Sequence, residues 1–272
     1  MVAGAVVLLL TVGVIGVAWL REQRQIPPLP FEERCVATAP GGEVVLTLDQ
    51  AHWVAIVVGV GVERDIGEHG ATIAMATVYQ ETGIRNLDYG DRDSVGLFQQ
   101  RPSQDWGTPQ QIMDPWYSSA QFYDALVEVP DWENGDVNDM AQAVQRSGHP
   151  EAYRKHESKA RVLAQVFTGA VPAGLSCFDE RTRRGDVETF RGDVHRTFGR
   201  LPLEIDGATL RVRATSAEHA RAVAAYAVAN AGRLGITGVQ NGGQSWRPDH
   251  RTLPRWTAGS DTPEDSVVVT FR

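Results

Sequence analysis

Lysine is nearly missing from this chain: of its 26 basic residues, only Lys155 and Lys159 are lysines. Against 34 acidic residues this leaves a formal net charge of -8, and no cluster of Lys and Arg interleaved with aromatic residues occurs. A nucleic-acid partner held through its phosphates needs a basic face, so that class is excluded. Cysteine is limited to Cys35 and Cys177, with no CxxC pair. HExxH, the GxxxxGK loop for phosphates, GxSxG, and GxGxxG behind a strand are also missing. The seven histidines are scattered along the chain, and nothing calls for a cofactor or a metal.

The residues that are present suit a globular chain. With 272 residues, 42% hydrophobic and 22% charged, there is room for one or two domains and a sizeable core. The stretch that organises it runs from Ala71 to Arg101. Its first part, Ala71 to Gln80, is rich in Ala, Met and Ile with no Pro or Gly, which predicts a helix ending at Gly83. Glu81 then falls in the last turn, where the negative end of the helix dipole disfavours a carboxylate and favours an acid. Asp88, Asp91 and Asp93 come next in an acidic loop, and Gly96 to Gln99 reads as a short strand or extended return. Two carboxyl groups of unlike environment are what glycosidic cleavage uses. The alternative is an ordinary exposed helix end leading into an Asp/Gly turn.

Local signals place further helices around this stretch. Thr47 to Gln50 is a capping box before an apolar run, Thr108-Pro109 starts a short helix, and Asp114-Pro115 opens one running to about Leu126. Asp136 caps the helix containing AQAVQR, and Pro150 predicts the start of a last helix ending near Gly169. Trp106, set among Pro, Ser, Gln and Gly, is a candidate for stacking on a sugar. Beyond Cys177 a charged linker leads to strands at 207–214 and 266–271, with an alanine-rich helix between them that stops at Gly235.

YQETGIRN, DSVGLFQQ, DPWYSSAQFY and AQAVQRSG, in that order, resemble the motif series of soluble lytic transglycosylases and goose-type lysozymes. The resemblance covers about the middle half of the chain. It implies a lysozyme-like fold with Glu81 as catalytic acid and base, Gly96 to Gln99 lining a cleft and Phe98 and Gln99 contacting saccharide, while the family's missing Tyr leaves Gln142, Gln145 and Arg146 as candidate sugar contacts. The run YGDRDSVGLFQ is similar to the goose-type pattern in which an Asp positions water, a part that falls to Asp91. There are departures. Thr82 stands where a Ser is usual, Phe98 where a Met is usual, and Arg101 where goose-type enzymes carry another Asp; AQAVQRSG lacks the family's Tyr.

At the N-terminus, residues 2–20 form an uncharged apolar run long enough to span a ~30 Å bilayer, with Arg21 and Arg24 after it. It lacks the basic start and small-residue cleavage site of a signal peptide. An uncleaved anchor is expected, although the two arginines alone favour a cytoplasmic placement of the soluble part. Activity on a wall and a Cys35–Cys177 disulfide bracketing the middle region favour the opposite side; two free thiols are the alternative. The C-terminal part is distantly similar to accessory domains of zinc-dependent wall peptidases, but no metal ligands carry over and His219 is isolated.

The expectation is therefore an α+β chain in four parts: a transmembrane anchor over 1–20, a linker over 21–46, a mainly helical lysozyme-like catalytic domain over 47–177, and a small α+β accessory domain over 178–272. The expected activity is cleavage of the β-1,4 bond between N-acetylmuramic acid and N-acetylglucosamine in peptidoglycan. The chain would be held in the cell membrane by a single pass, with its soluble part extracytoplasmic and glycan strands as its partner. The alternative is an inactive lysozyme-like envelope protein that binds glycan or a protein.

Overall fold

The computed structural model describes residues 32–181, 183–249 and 251–272. Strands β1 (Arg34–Ala39) and β2 (Gly42–Leu46) form an antiparallel hairpin, and β3 (Leu175–Phe178) adds to the other side of β1, giving the order β2-β1-β3. Alternation turns Cys35, Ala37 and Ala39 inward along β1, as a half-buried strand requires. Cys35 lies directly opposite Cys177 in the β1–β3 register, and the two form a disulfide.

Between those strands lie the helices. They are α1 (Leu48–Glu63), α2 (Gly67–Thr82), the short α3 (Pro109–Ile112), α4 (Pro115–Val127), α5 (Val137–Gln145) and α6 (Glu157–Thr168). Thr47 and Thr108 form complete capping boxes, and Asp114 and Asp136 accept backbone N–H groups at the starts of α4 and α5. Helix α2 is central, packing on α1, α4, α5 and α6, and every residue from Gly70 to Val78 is buried. Large side chains such as Ile73, Met75 and Val78 each contribute about 1.5–3 kcal/mol by that burial. In α1, glycine is required by close approach: a Cβ at Gly59 would overlap Thr197, and one at Gly61 would sit 2.8 Å from the Tyr123 hydroxyl.

The rest of the chain comprises α7 (Val187–Phe198), β4 (Leu203–Asp206), β5 (Thr209–Arg213), α8 (Ala217–Ala229), α9 (Ala231–Leu234), β6 (Ile236–Asn241), β7 (Gln244–Trp246), β8 (Thr257–Ala258) and β9 (Ser266–Phe271). Its sheet has the order β4-β5-β9-β6-β7-β8, with every pairing antiparallel. The alanine-rich helix expected to run to Gly235 breaks at Asn230. That side chain donates from Nδ2 to the Tyr226 carbonyl and meets His52 Nδ1 at 2.6 Å through Oδ1, competing with helix continuation.

Three expectations are corrected. Among the described residues no helix is long and apolar enough to cross a membrane; the run 2–20, where the sequence predicts a transmembrane anchor, lies outside the described residues. Part of the predicted linker, 34–46, is the β1–β2 hairpin. The C-terminal α+β part is not detached, because Glu33–Arg272 forms one compact unit with a shared core. Helix α8 packs on α1 and α6, and Trp116 of α4 donates to Thr197 of α7 at 2.9 Å. Small alanines let α8 lie close to both helices, so the two halves share their apolar faces.

Candidate active site

The C-terminal end of α2 comes to the surface after its buried middle: Tyr79, Gln80 and Glu81 are each half-buried. Gly83, at φ 63°, closes the helix in the left-handed conformation, with its N–H on the Tyr79 carbonyl. Gln50 Nε2 donates to the Gly83 carbonyl at 2.9 Å, fixing this turn to the start of α1. Thr82 does the rest of the anchoring. Its buried hydroxyl accepts from Arg85 N–H at 3.2 Å and shares its proton between the carbonyls of Val78 and Leu97, 3.1 and 3.0 Å away. The hydroxyl thus ties the residue after Glu81 to the segment 96–99.

Tyr153 is the residue that the sequence does not reveal. Pro150 predicts a helix from that point, but α6 starts only at Glu157, and 151–156 form turns and a short 3-10 segment. Asn138 holds this stretch, donating to the Pro150 carbonyl and accepting from Arg154 N–H. The Tyr153 ring is fully buried and its hydroxyl donates to Glu81 Oε1 at 2.8 Å. Burial, then the adjacent Glu81 carboxylate, hold the phenol well above its ordinary range. It therefore remains a donor at any physiological pH. With Oε1 accepting from Tyr153, the protonated acid carries its hydrogen on Oε2, the oxygen free to meet a substrate.

On the other side of the helix end, His156 Nε2 lies 3.2 Å from Gln80 Oε1, and its ring stacks on Tyr79. Burial, then the charges of Lys155 and Lys159, lower the pKa of His156, and burial pushes Tyr79 up to about 12.

The expected loop residues divide sharply. Gln145, at the end of α5, donates from Nε2 to the Phe98 carbonyl at 2.8 Å, so it does join the segment beside Glu81. The Phe98 side chain is fully buried and stacks on Phe122, with ring centroids 4.6 Å apart. That corrects its expected role as a saccharide contact, since only its backbone is engaged near the site. The Gln99 side chain works within the loop: Nε2 faces the carbonyls of Tyr89 and Gly96, and Oε1 accepts from Ser94. Instead of a strand, 95–100 is held by the isolated bridges Leu87–Gly96 and Val95–Gln100. Trp106 is half-buried and packs against the core.

No second carboxylate joins Glu81 among the described residues by a hydrogen bond or ion pair. The Asp91 side chain is 95% exposed and its nearest cation is Arg92, 3.9 Å away. Asp93 is held by Arg101 at 2.8 Å and by Ser103, which keep its carboxyl well below the usual carboxylate range. Arg101 thus clamps Asp93 within the loop.

Among the described residues no group of three or more His, Cys, Asp or Glu side chains is placed to hold a metal ion. A cavity of about 300 Å³ lies between α6, α8 and the β6–β7 turn, and Glu81 is not part of its lining. Comparison of the chain with protein-family models and with curated proteins finds no match.

Proposed function

We propose that this chain is a lysozyme-like glycosidase that cleaves the β-1,4 bond between N-acetylmuramic acid and N-acetylglucosamine in peptidoglycan, with the outcome of a lytic transglycosylase. The observation that carries the reading is the Glu81 carboxyl, gripped by a buried phenol at the end of the central helix, with no other carboxylate among the described residues hydrogen-bonded to it. Hydrolysis by the usual routes needs a partner carboxylate at a defined separation, as nucleophile or as base for water. The Asp91 carboxylate is exposed, and its only ion pair among the described residues is with its neighbour Arg92.

With one carboxyl the chemistry closes on itself. Protonated Glu81 gives its hydrogen to the glycosidic oxygen as the C1–O bond breaks and the glucosamine end departs with a new hydroxyl. The resulting carboxylate then takes the proton of the muramic 6-hydroxyl as that oxygen bonds to C1. Glu81 is protonated again, and the product is a 1,6-anhydro sugar without added water. The Cys35–Cys177 disulfide supports an oxidising location, which agrees with a substrate outside the cytoplasm.

Digestion of purified sacculi, with mass analysis of the released fragments, tests the reading. Anhydro-muramyl products from the native chain, absent with Glu81→Gln, are expected; products heavier by one water would assign hydrolysis instead. The buried Phe98 ring and the engaged Gln99 amide favour a second reading, a protein that holds glycan without cutting it. Equal pelleting of both proteins with sacculi and no release from either would select that reading.

A further inference from the structure

The cavity of about 300 Å³ lies where the two halves of the compact unit meet, a common location for ligand sites. Its walls are mixed: Val166 from α6, Val171 and Leu175 before and in β3, and Ala224 and Ala225 from α8 supply apolar surface, while Asn241 and Gln244 at the β6–β7 turn supply polar surface. Trp256 forms another side, held by an Nε1–H bond to the Leu175 carbonyl at 2.8 Å. Two opposite charges also line this space: Arg221 of α8 and Glu264 ahead of β9.

These charges do not pair with each other. Arg221 donates from Nε to the Gly169 carbonyl, which fixes the plane of the guanidinium, and among the described residues no carboxylate lies within ion-pair distance of it. A guanidinium has five N–H donors in a rigid fork, so the terminal nitrogens keep theirs for a bidentate acceptor. The backbone carbonyl of Glu264 accepts from Asn241, while its exposed carboxylate has no protein partner among the described residues. One cation and one anion without a carboxylate or cationic partner, lining the same partly apolar space, match a ligand carrying the reverse pair of charges.

We propose that this cavity binds a small zwitterion with an α-carboxylate, an α-ammonium and an apolar body, the chemistry shared by a free amino acid and a dipeptide. The carboxylate lies on the Arg221 fork, the ammonium meets Glu264 at the mouth, and the side chain rests against Trp256 and the α8 alanines. The volume is at the lower end of the range for small-molecule sites, which excludes longer peptides. The site is separate from Glu81, and its failure or success leaves the glycosidase reading untouched.

Calorimetric titration of the full chain with L-leucine, alanine, dialanine and dileucine tests the proposal, with the N-acetylated and C-amidated form of whichever binds. Saturable binding that falls about tenfold or more on amidation and on acetylation is expected, the factor carried by a lost hydrogen bond to a charged group. Arg221→Gln should copy the effect of amidation and Glu264→Gln that of acetylation, while Glu81→Gln binds as the native chain does. Because blocking the ligand needs no variant to fold, the test stands even if Arg221→Gln unfolds. Tighter binding of the single residues or of the dipeptides names the source. No saturable heat with any of the four, or binding unchanged by both blocking groups, overturns the proposal.

Discussion

Tyr153 reaches Glu81 from 72 residues further along the chain and donates its phenolic hydrogen to Oε1 at 2.8 Å. The phenol sets which carboxyl oxygen is free, so its removal should act on turnover rather than on glycan binding. Tyr153→Phe keeps the buried ring and deletes the donor. A fall of about ten- to a hundredfold in the rate of sacculus solubilisation is expected, the kinetic equivalent of one hydrogen bond to a charged group. Pelleting with sacculi should be unchanged. An unaltered rate would remove Tyr153 from the site.

Asp91 separates two outcomes of the same cleavage. Its side chain is 95% exposed, with Arg92 as its ion-pair partner. Asp91→Asn is therefore expected to leave both rate and product mass as they were, measured on the same sacculi. A large loss of activity, with water-added products in the native digest, would restore a water-positioning role.

The parts of this architecture that depend on neighbouring residues can be read directly from the sequence. Thr47, Thr108, Asp114 and Asp136 cap the helices they precede, and Gly83 ends the helix carrying Glu81, because capping is decided within a few residues. The Cys35–Cys177 disulfide is open to inference from two cysteines bracketing one region. Contacts set by packing are another matter. Tyr153 is drawn to Glu81 by a turn held through Asn138, and no periodicity signals that. Phe98 sits in a motif that suggests a cleft, yet Phe122 claims its ring for the core. The C-terminal part looks separable because its strands and its alanine-rich helix are locally complete. Small residues on α8 then allow close packing against α1 and α6.

Thr82 is expected to matter for its hydroxyl rather than its shape. Thr82→Val is nearly isosteric but leaves Arg85 N–H and the Leu97 carbonyl without that partner, at a cost of about 1–3 kcal/mol. Thr82→Ser should keep most of the stability. Urea unfolding of the three proteins checks this, and a Val variant as stable as the Ser variant would show that the staple contributes nothing.

The disulfide closes nearly the whole helical region, from β1 to β3. Its reduction, or the double replacement Cys35→Ala with Cys177→Ala, is expected to cost about 2–5 kcal/mol, mostly through the freedom regained by the unfolded chain. Thermal melts with and without reductant measure it. An unchanged midpoint would mean that strand pairing alone holds this sheet.

His52 supplies the pH dependence. It is buried against Asn230, whose Nδ2 is committed to the Tyr226 carbonyl, so Asn230 Oδ1 must accept and His52 Nδ1 must carry the hydrogen. Burial first, then the charge of Arg233, push its pKa down to about 4, against the opposing effect of the Asn230 bond. The unfolded chain binds this proton near the ordinary value of 6.5 and the folded chain does not, so between those two values folding releases it. The stabilisation is complete above about pH 6.5 and is lost as pH falls toward 4, to a total of about 3 kcal/mol at most. Urea midpoints measured across this window should decline with acid, and His52→Gln, which cannot take up the proton, should flatten that part of the slope. A native chain whose midpoint does not move between these limits would show that the imidazole reaches solvent before the fold gives way.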